Sequence, residues 1–168
     1  ELRGKTLGIV GIGRIGQATA KMALGLGMKV IAADSYIDKV DVKVEFFDGQ
    51  SVTTTIVSQS LESLFKEADF ISLHVPAQNG YIISKAELAI MKDGVGIVNC
   101  ARGGVIDEIA LIDALDSGKV GFAGLDVFES EPKPEIKILM HPKISLTPHI
   151  GAATGEAQDR IGTELAQQ

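Results

Sequence analysis

Arg102, Glu131 and His149 each follow closely on a short apolar run, and together they suit the exchange of a hydride and a proton with a 2-keto acid. Hydride delivery to a ketone builds negative charge on oxygen, so a proton donor must stand ready, and His suits that role near neutral pH. An Arg can pair with a substrate carboxylate in a forked geometry and polarise the adjacent carbonyl. A carboxylate bonded to the His fixes its tautomer and favours the protonated ring. On this reading His149 is the acid/base, Arg102 the polarising group and Glu131 the partner that orients the ring. Glu129 rivals Glu131 on equal terms, because local sequence does not separate the two carboxylates. His74 reads as structural, ahead of a Val75-Pro76 wall for a cofactor, and His141, before Pro142, as an exposed loop residue. Cys100 has no evident base beside it and reads as a small residue touching a cofactor rather than a nucleophile.

Gly11-Ile12-Gly13-Arg14-Ile15-Gly16 spells G-x-G-x-x-G. A chain with 19 glycines produces near-matches by chance, so context decides. An apolar strand pattern precedes the loop and a helical pattern follows at once, as a dinucleotide fingerprint requires. Gly11 permits the tight turn, Gly13 lets backbone approach a pyrophosphate, and Gly16 lets the helix pack close to the strand. The helix N-terminus offers free N–H groups and partial positive charge to the phosphates. Asp34 closes the second strand pattern, near the roughly 20-residue spacing at which an acid meets the ribose hydroxyls. A carboxylate there repels the extra phosphate of NADP, so the expected cofactor is NAD. Arg14 reads either as a pyrophosphate neighbour or as a solvated first-turn side chain.

The elements that must position these residues are legible as alternating patterns. Strands are expected at residues 7–10, 30–33, 70–73, 96–99, 122–125 and 144–147, each apolar enough to be buried on both faces. Helical patterns fall at 15–26, ending at Gly27; at 85–91, opened by a Ser84/Glu87 capping box; and at 108–115, capped by Asp107. Thr154 can cap a last helix. This alternation predicts an α/β, Rossmann-like, doubly wound parallel sheet with helices on both faces. Residues 40–57 break the pattern: apolar and polar residues alternate on either side of Asp48-Gly49, which predicts a β-hairpin insertion.

The bulk properties narrow the function further. The 168 residues form one domain, 45% hydrophobic and 23% charged, as in ordinary globular proteins. A net charge of −6 without a basic patch argues against a nucleic-acid partner. No apolar run approaches the roughly 18 residues a membrane helix needs, and no signal peptide is evident. A single cysteine excludes an intrachain disulfide framework and fits a reducing, cytoplasmic compartment. The chain opens almost directly on a strand and stops within a helical pattern, as expected of a piece of a longer protein.

Asn99-Cys100-Ala101-Arg102-Gly103-Gly104 with Asp107-Glu108 resembles the arginine signature of the D-2-hydroxyacid dehydrogenases. Asp126-Val127-Phe128-Glu129-Ser130-Glu131-Pro132 is similar to their glutamate signature, and Thr147-Pro148-His149-Ile150-Gly151-Ala152 to their histidine signature. With the glycine loop, the resemblance covers nearly the whole chain. It implies Glu131 rather than Glu129 as the catalytic acid. It also implies Asp126 on the nicotinamide carboxamide and Arg14 and Ile15 along the pyrophosphate. Val75, residues 100–102 (Cys100, Ala101, Arg102) and residues 149–152, including His149, Gly151 and Ala152, would line the cofactor cleft. Asn-Cys-Ala-Arg-Gly-Gly and Glu156-Ala157-Gln158 most resemble the branch that oxidises 3-phosphoglycerate, a step of serine biosynthesis, in which direction His149 acts as base.

The resemblance further implies a homo-oligomer joined through the cofactor domain, and a substrate-binding domain outside these residues. The isolated chain should then bind NAD yet turn over poorly. Two departures bear on the cleft rim: the hairpin lengthens the stretch between Asp34 and Asp69, and Gln78-Asn79-Gly80 replaces a longer Thr-containing loop. Rival readings are other family activities (glyoxylate, hydroxypyruvate or lactate type), a non-catalytic NAD(H)-sensing corepressor, and an S-adenosylmethionine domain. The last leaves Arg102, Glu131 and His149 idle.

Overall fold

In the computed structural model, which describes residues 1–77 and 79–149, six parallel strands form the central sheet. In chain order the elements are β1 (Thr6–Val10), α1 (Arg14–Gly25), β2 (Lys29–Ala33), β3 (Lys39–Glu45), β4 (Ser51–Val57), α2 (Leu61–Glu67) and β5 (Phe70–Leu73). There follow α3 (Lys85–Ile90), β6 (Val95–Asn99), α4 (Glu108–Ser117), β7 (Val120–Leu125), α5 (Ile136–Leu139) and β8 (Ile144–Leu146). The sheet order is β2-β1-β5-β6-β7-β8. All six expected strands are present, within two residues at each end.

Strand period fixes which side chains go to which face. Val10, Ile31, Ala33, Ile71 and Leu73 point into a core covered by α2, α3 and α4 through Leu64, Phe65, Leu88, Leu111 and Leu115. Their neighbours Ile9 and Ala32 point the other way, into a second core with Ala20 and Ala23 of α1. Helices therefore cover both faces, as expected.

The hairpin is real and has a packing role. Strands β3 and β4 pair antiparallel from Lys39↔Val57 to Glu45↔Ser51, and Gly49 turns between them at φ 84°. Val42 and Ile56 are buried in the α1 core, so the insertion extends the cover on that face rather than projecting into solvent.

Caps set the helix limits. At the end of α1, the N–H of Gly27 bonds Leu24 O and that of Met28 bonds Ala23 O, with Gly27 at φ 75°. This pair of bonds is a Schellman motif, which needs a residue without a Cβ penalty at that place. Ser84 and Glu87 form the expected capping box of α3, and Asp107 caps α4 by accepting from the Ala110 N–H. The helix expected after Thr154 lies outside the described residues.

Candidate active site and cofactor cleft

Strand β1 is where the sheet order reverses: β2 lies on one side of it and β5 on the other. Such a switch point opens a crevice at the carboxyl ends of the strands. The glycine loop leaves β1 there, and His74, Val75 and Pro76 leave β5 opposite it. Between them runs a cleft of about 530 Å³ whose walls include Gly11, Gly13, Asp34, Tyr36, Ile37, Val75 and Pro76. It continues into a smaller one lined by Ile15, His74, Val75, Pro76, Cys100, Ala101 and Arg102.

Two of the loop glycines stand where backbone leaves no room for a side chain. A Cβ on Gly11 would meet His74 O at 2.6 Å, and one on Gly16 would meet Gly11 O at 2.2 Å. At Gly13 nothing lies within 4 Å, so its backbone faces open space in the cleft. That is the approach a pyrophosphate needs, and the arrangement fits a dinucleotide.

Asp34 is held more firmly than its sequence position suggested. Its Oδ2 accepts from the Ile12 N–H at 2.8 Å, and its Oδ1 from the N–H groups of Tyr36 and Ile37 at 2.8 and 3.1 Å. A carboxylate has about four acceptor sites, and these three bonds from the described residues leave one of them, on Oδ2, facing the cleft. Asp34 thus joins the glycine loop to the end of β2 as well as facing the cleft. Ser58, not singled out from sequence, accepts from the Asp34 N–H at 2.7 Å.

His74 also lies in the cleft wall. Its Nε2 pairs with Ser72 Oγ at 2.9 Å, and burial lowers its pKa, so the ring is neutral at pH 7. This fits a wall residue rather than a proton donor.

Strands β6, β7 and β8 deliver the remaining candidates. Asn99 shapes the turn after β6: its side-chain oxygen accepts from the Ala101 N–H and its amide donates to Arg102 O. The exposed Arg102 side chain bonds back to Ala101 O at 2.6 Å. The next residue, Gly103, packs so closely that a Cβ would lie 1.8 Å from Phe128 O. Asp126, at the end of β7, is buried and accepts from Thr147 Oγ1. The Cys100 thiol is pushed up by burial and by the nearby Asp126 charge, which disfavours the thiolate a nucleophile would need.

The decisive geometry joins β7 to β8. Glu131 Oε2 lies 2.8 Å from His149 Nδ1, and Glu131 Oε1 accepts from the Phe128 N–H at 3.0 Å. The His149 bond, then the Phe128 bond, hold the Glu131 carboxyl below its usual pKa. An ionised carboxylate can only accept, so Nδ1 carries the proton and Nε2 is left for a ligand. The pair opens on a largely apolar pocket of about 500 Å³, walled by Phe128, Pro132, Pro134, Leu139, Leu146 and Pro148.

Glu129 faces elsewhere, accepting from the Glu108 N–H and the Tyr81 hydroxyl. Local sequence did not separate these two carboxylates; in the fold it is Glu131 that meets His149. Arg102 follows β6 and His149 follows β8, with β7 between the two strands, and they line different pockets. His141 corrects an expectation, for its side chain is only 7% exposed, between Asp116 at 3.3 Å and the Lys143 N–H at 3.2 Å. The polar residues around it form its shell rather than leaving it in solvent. Gly151 and Ala152 lie outside the described residues. Among those residues no cluster has the makings of a metal site and no helix is long and apolar enough to cross a membrane.

The family model for the D-isomer specific 2-hydroxyacid dehydrogenase NAD binding domain matches residues 1–151. The chain belongs to that family. It is 51% identical to a hydroxypyruvate reductase of Thermotoga maritima, over all of this chain and 53% of that one. It is 46% identical to a D-3-phosphoglycerate dehydrogenase of Methanocaldococcus jannaschii, again over all of this chain but 31% of that protein. Among solved structures, a glyoxylate reductase from Paecilomyes thermophila superposes with a TM-score of 0.81 at 40% identity, covering 96% of this chain and 47% of that one. The chain spans about half the length of the Thermotoga relative. Its cofactor is NAD.

Proposed function

We propose that residues 1–168 are the NAD-binding domain of a D-2-hydroxyacid dehydrogenase whose substrate domain lies outside them, and that its substrate is 3-phosphoglycerate. The Glu131–His149 contact carries the reading of the chemistry. NAD, when bound, supplies the hydride acceptor. His149 Nε2 takes the proton of the 2-hydroxyl as the C2–H bond gives up its hydride, and returns it in the reverse direction. Glu131 fixes the ring tautomer and balances the imidazolium charge. Arg102 pairs with the substrate carboxylate and draws electron density from the carbonyl oxygen. Gly13, Asp34, Val75, Pro76, Cys100 and Asp126 hold the cofactor, and Arg14 and Ile15 complete its cleft.

Seven of the curated relatives named for an activity, among them the Methanocaldococcus protein, are D-3-phosphoglycerate dehydrogenases, which favours the phosphorylated substrate and a place in serine biosynthesis. The 51% identity to a hydroxypyruvate reductase favours a second reading, in which the same three-carbon skeleton is used without its phosphate. The enzyme works in the cytoplasm as a homo-oligomer joined through this domain. Exposed Met22 and Leu26 on the α1 side support such a contact.

NADH oxidation by the full-length protein, offered 3-phosphohydroxypyruvate, hydroxypyruvate, pyruvate and glyoxylate in parallel, tests this reading. Preference for the phosphorylated acid is expected. Preference for hydroxypyruvate selects the second reading, and NADH binding without turnover of any acid would move the protein to the sensors.

A further inference from the structure

The two signature loops are tied together by carboxylates that the proposed chemistry does not use. Glu108, the first residue of α4, is 7% exposed, and its Oε1 accepts from the Glu129 N–H at 2.8 Å. In return, Glu129 Oε1 accepts from the Glu108 N–H at 3.0 Å. The Glu108 N–H is one of the helix-start donors that has no partner within the helix, so Glu129 caps α4 from another loop. Its second oxygen accepts from the Tyr81 hydroxyl at 3.3 Å. The exchange is reciprocal, backbone to side chain in both directions.

What the brace holds is the short segment before Glu131. The Phe128 N–H donates to Glu131, the Phe128 carbonyl abuts Gly103, and the next N–H, of Glu129, donates to Glu108. The peptide between Phe128 and Glu129 is therefore gripped from the Arg102 loop on one side and from α4 on the other. Displacing that peptide would break the Glu129–Glu108 bond and carry with it the adjoining Phe128, whose own N–H fixes the Glu131 carboxylate.

We propose that Glu108 and Glu129 are positioning residues, a reciprocal brace through which the Arg102 loop and the start of α4 set where Glu131 meets His149. Neither touches the reacting atoms; both act through the backbone of residues 128–129. The inference rests on the reaction proposed above for its catalytic consequence, and on the bonds alone for the brace itself.

The test uses the full-length protein. Glu108→Gln keeps a side-chain oxygen to accept from the Glu129 N–H, whereas Glu108→Ala leaves that buried donor unpaired. The brace predicts that E108A lowers kcat about tenfold or more, since small misplacements near the reacting centre have effects of that size. The Kd for NADH should stay within about twofold of wild type, because no cofactor contact is lost, and E108Q should recover most of the rate. Equal rates for E108A and E108Q, or NADH binding that weakens in step with kcat, would overturn it. If E108A does not fold, Glu129→Ala against Glu129→Gln makes the same comparison from the other half.

Amide exchange in the wild-type protein separates the brace from the reaction. Slow exchange at the Glu108 and Glu129 amides is expected, and fast exchange at both overturns the brace whatever the activity. Protected amides without turnover of any 2-keto acid would instead overturn the reaction and, with it, the catalytic role given to the brace.

Discussion

Glu131 reaches forward across eighteen residues of sequence to place a carboxylate oxygen 2.8 Å from His149 Nδ1. The bond leaves one ring nitrogen free and decides which one. Glu131→Gln should therefore damage the rate more than its small change in shape suggests. A Gln can present its amide N–H to Nδ1 and stabilise the tautomer that has its proton on the wrong nitrogen. A loss in kcat on the order of 10²-fold or more is expected, by analogy with other carboxylate–His pairs. Steady-state kinetics on the full-length protein would measure it, alongside an NADH titration expected to stay unchanged.

The same contact predicts a titration. The carboxyl of Glu131 is held below its usual value first by His149 and then by the Phe128 N–H. With the folded pKa below the unfolded one, the stabilisation from this group is complete above the unfolded value. It is lost as pH falls through the folded value. Carbon NMR of the Glu131 carboxyl should show it titrating below the ordinary glutamate range, and His149→Leu should move that titration upward. A midpoint within or above that range in the wild type would contradict the assignment.

Asp34 should behave as both a ligand and a clamp. Asp34→Asn brings an amide N–H toward the Ile12 or Tyr36 N–H, where only an acceptor fits. We expect NADH affinity to fall about tenfold or more, with the preference for NADH over NADPH reduced, because a hydrogen-bond acceptor and a like-charge barrier are lost together. Fluorescence titration with both cofactors checks this. Unchanged discrimination would place the ribose elsewhere.

Gly103→Ala addresses the contact between signature loops. Its Cβ would lie 1.8 Å from a backbone oxygen, so the backbone of one loop must move. Overpacking of that kind costs about 1–3 kcal/mol or more. Thermal unfolding should show the loss, with kcat falling further than NADH affinity.

Much of this was legible because the signals were local. Parallel strands buried on both faces read as apolar runs, as β1, β5 and β6 do; β8 departs from that expectation, an edge strand only partly buried and legible from Ile144 and Leu146 alone. Asp48-Gly49 marked the hairpin turn, and Ser84 and Asp107 marked helix starts. Helices α2 and α5 were not read, being seven and four residues long, too short to establish a helical period. α2 buries only Leu64 and Phe65.

The site divided along the same line. The glycine loop and the strand-end Asp, Arg and His carry their chemistry in sequence position. The choice between Glu129 and Glu131 did not, because it depends on where β8 brings His149 and where α4 begins. Asn99 and Thr147 stood in plain view at strand ends, but their roles require the partners Arg102 and Asp126. His141 misled because a polar, Pro-flanked loop can fold its own lysine backbone and a helix aspartate around a ring.

His149→Gln in the full-length protein tests the central claim most directly, with NADH oxidation measured on whichever 2-keto acid the wild type prefers. The account predicts that kcat falls about 10²–10⁴-fold, the usual contribution of a positioned acid/base, while the Kd for NADH is unchanged. A variant that keeps the wild-type kcat would contradict it, and the proton would then have to come from another group.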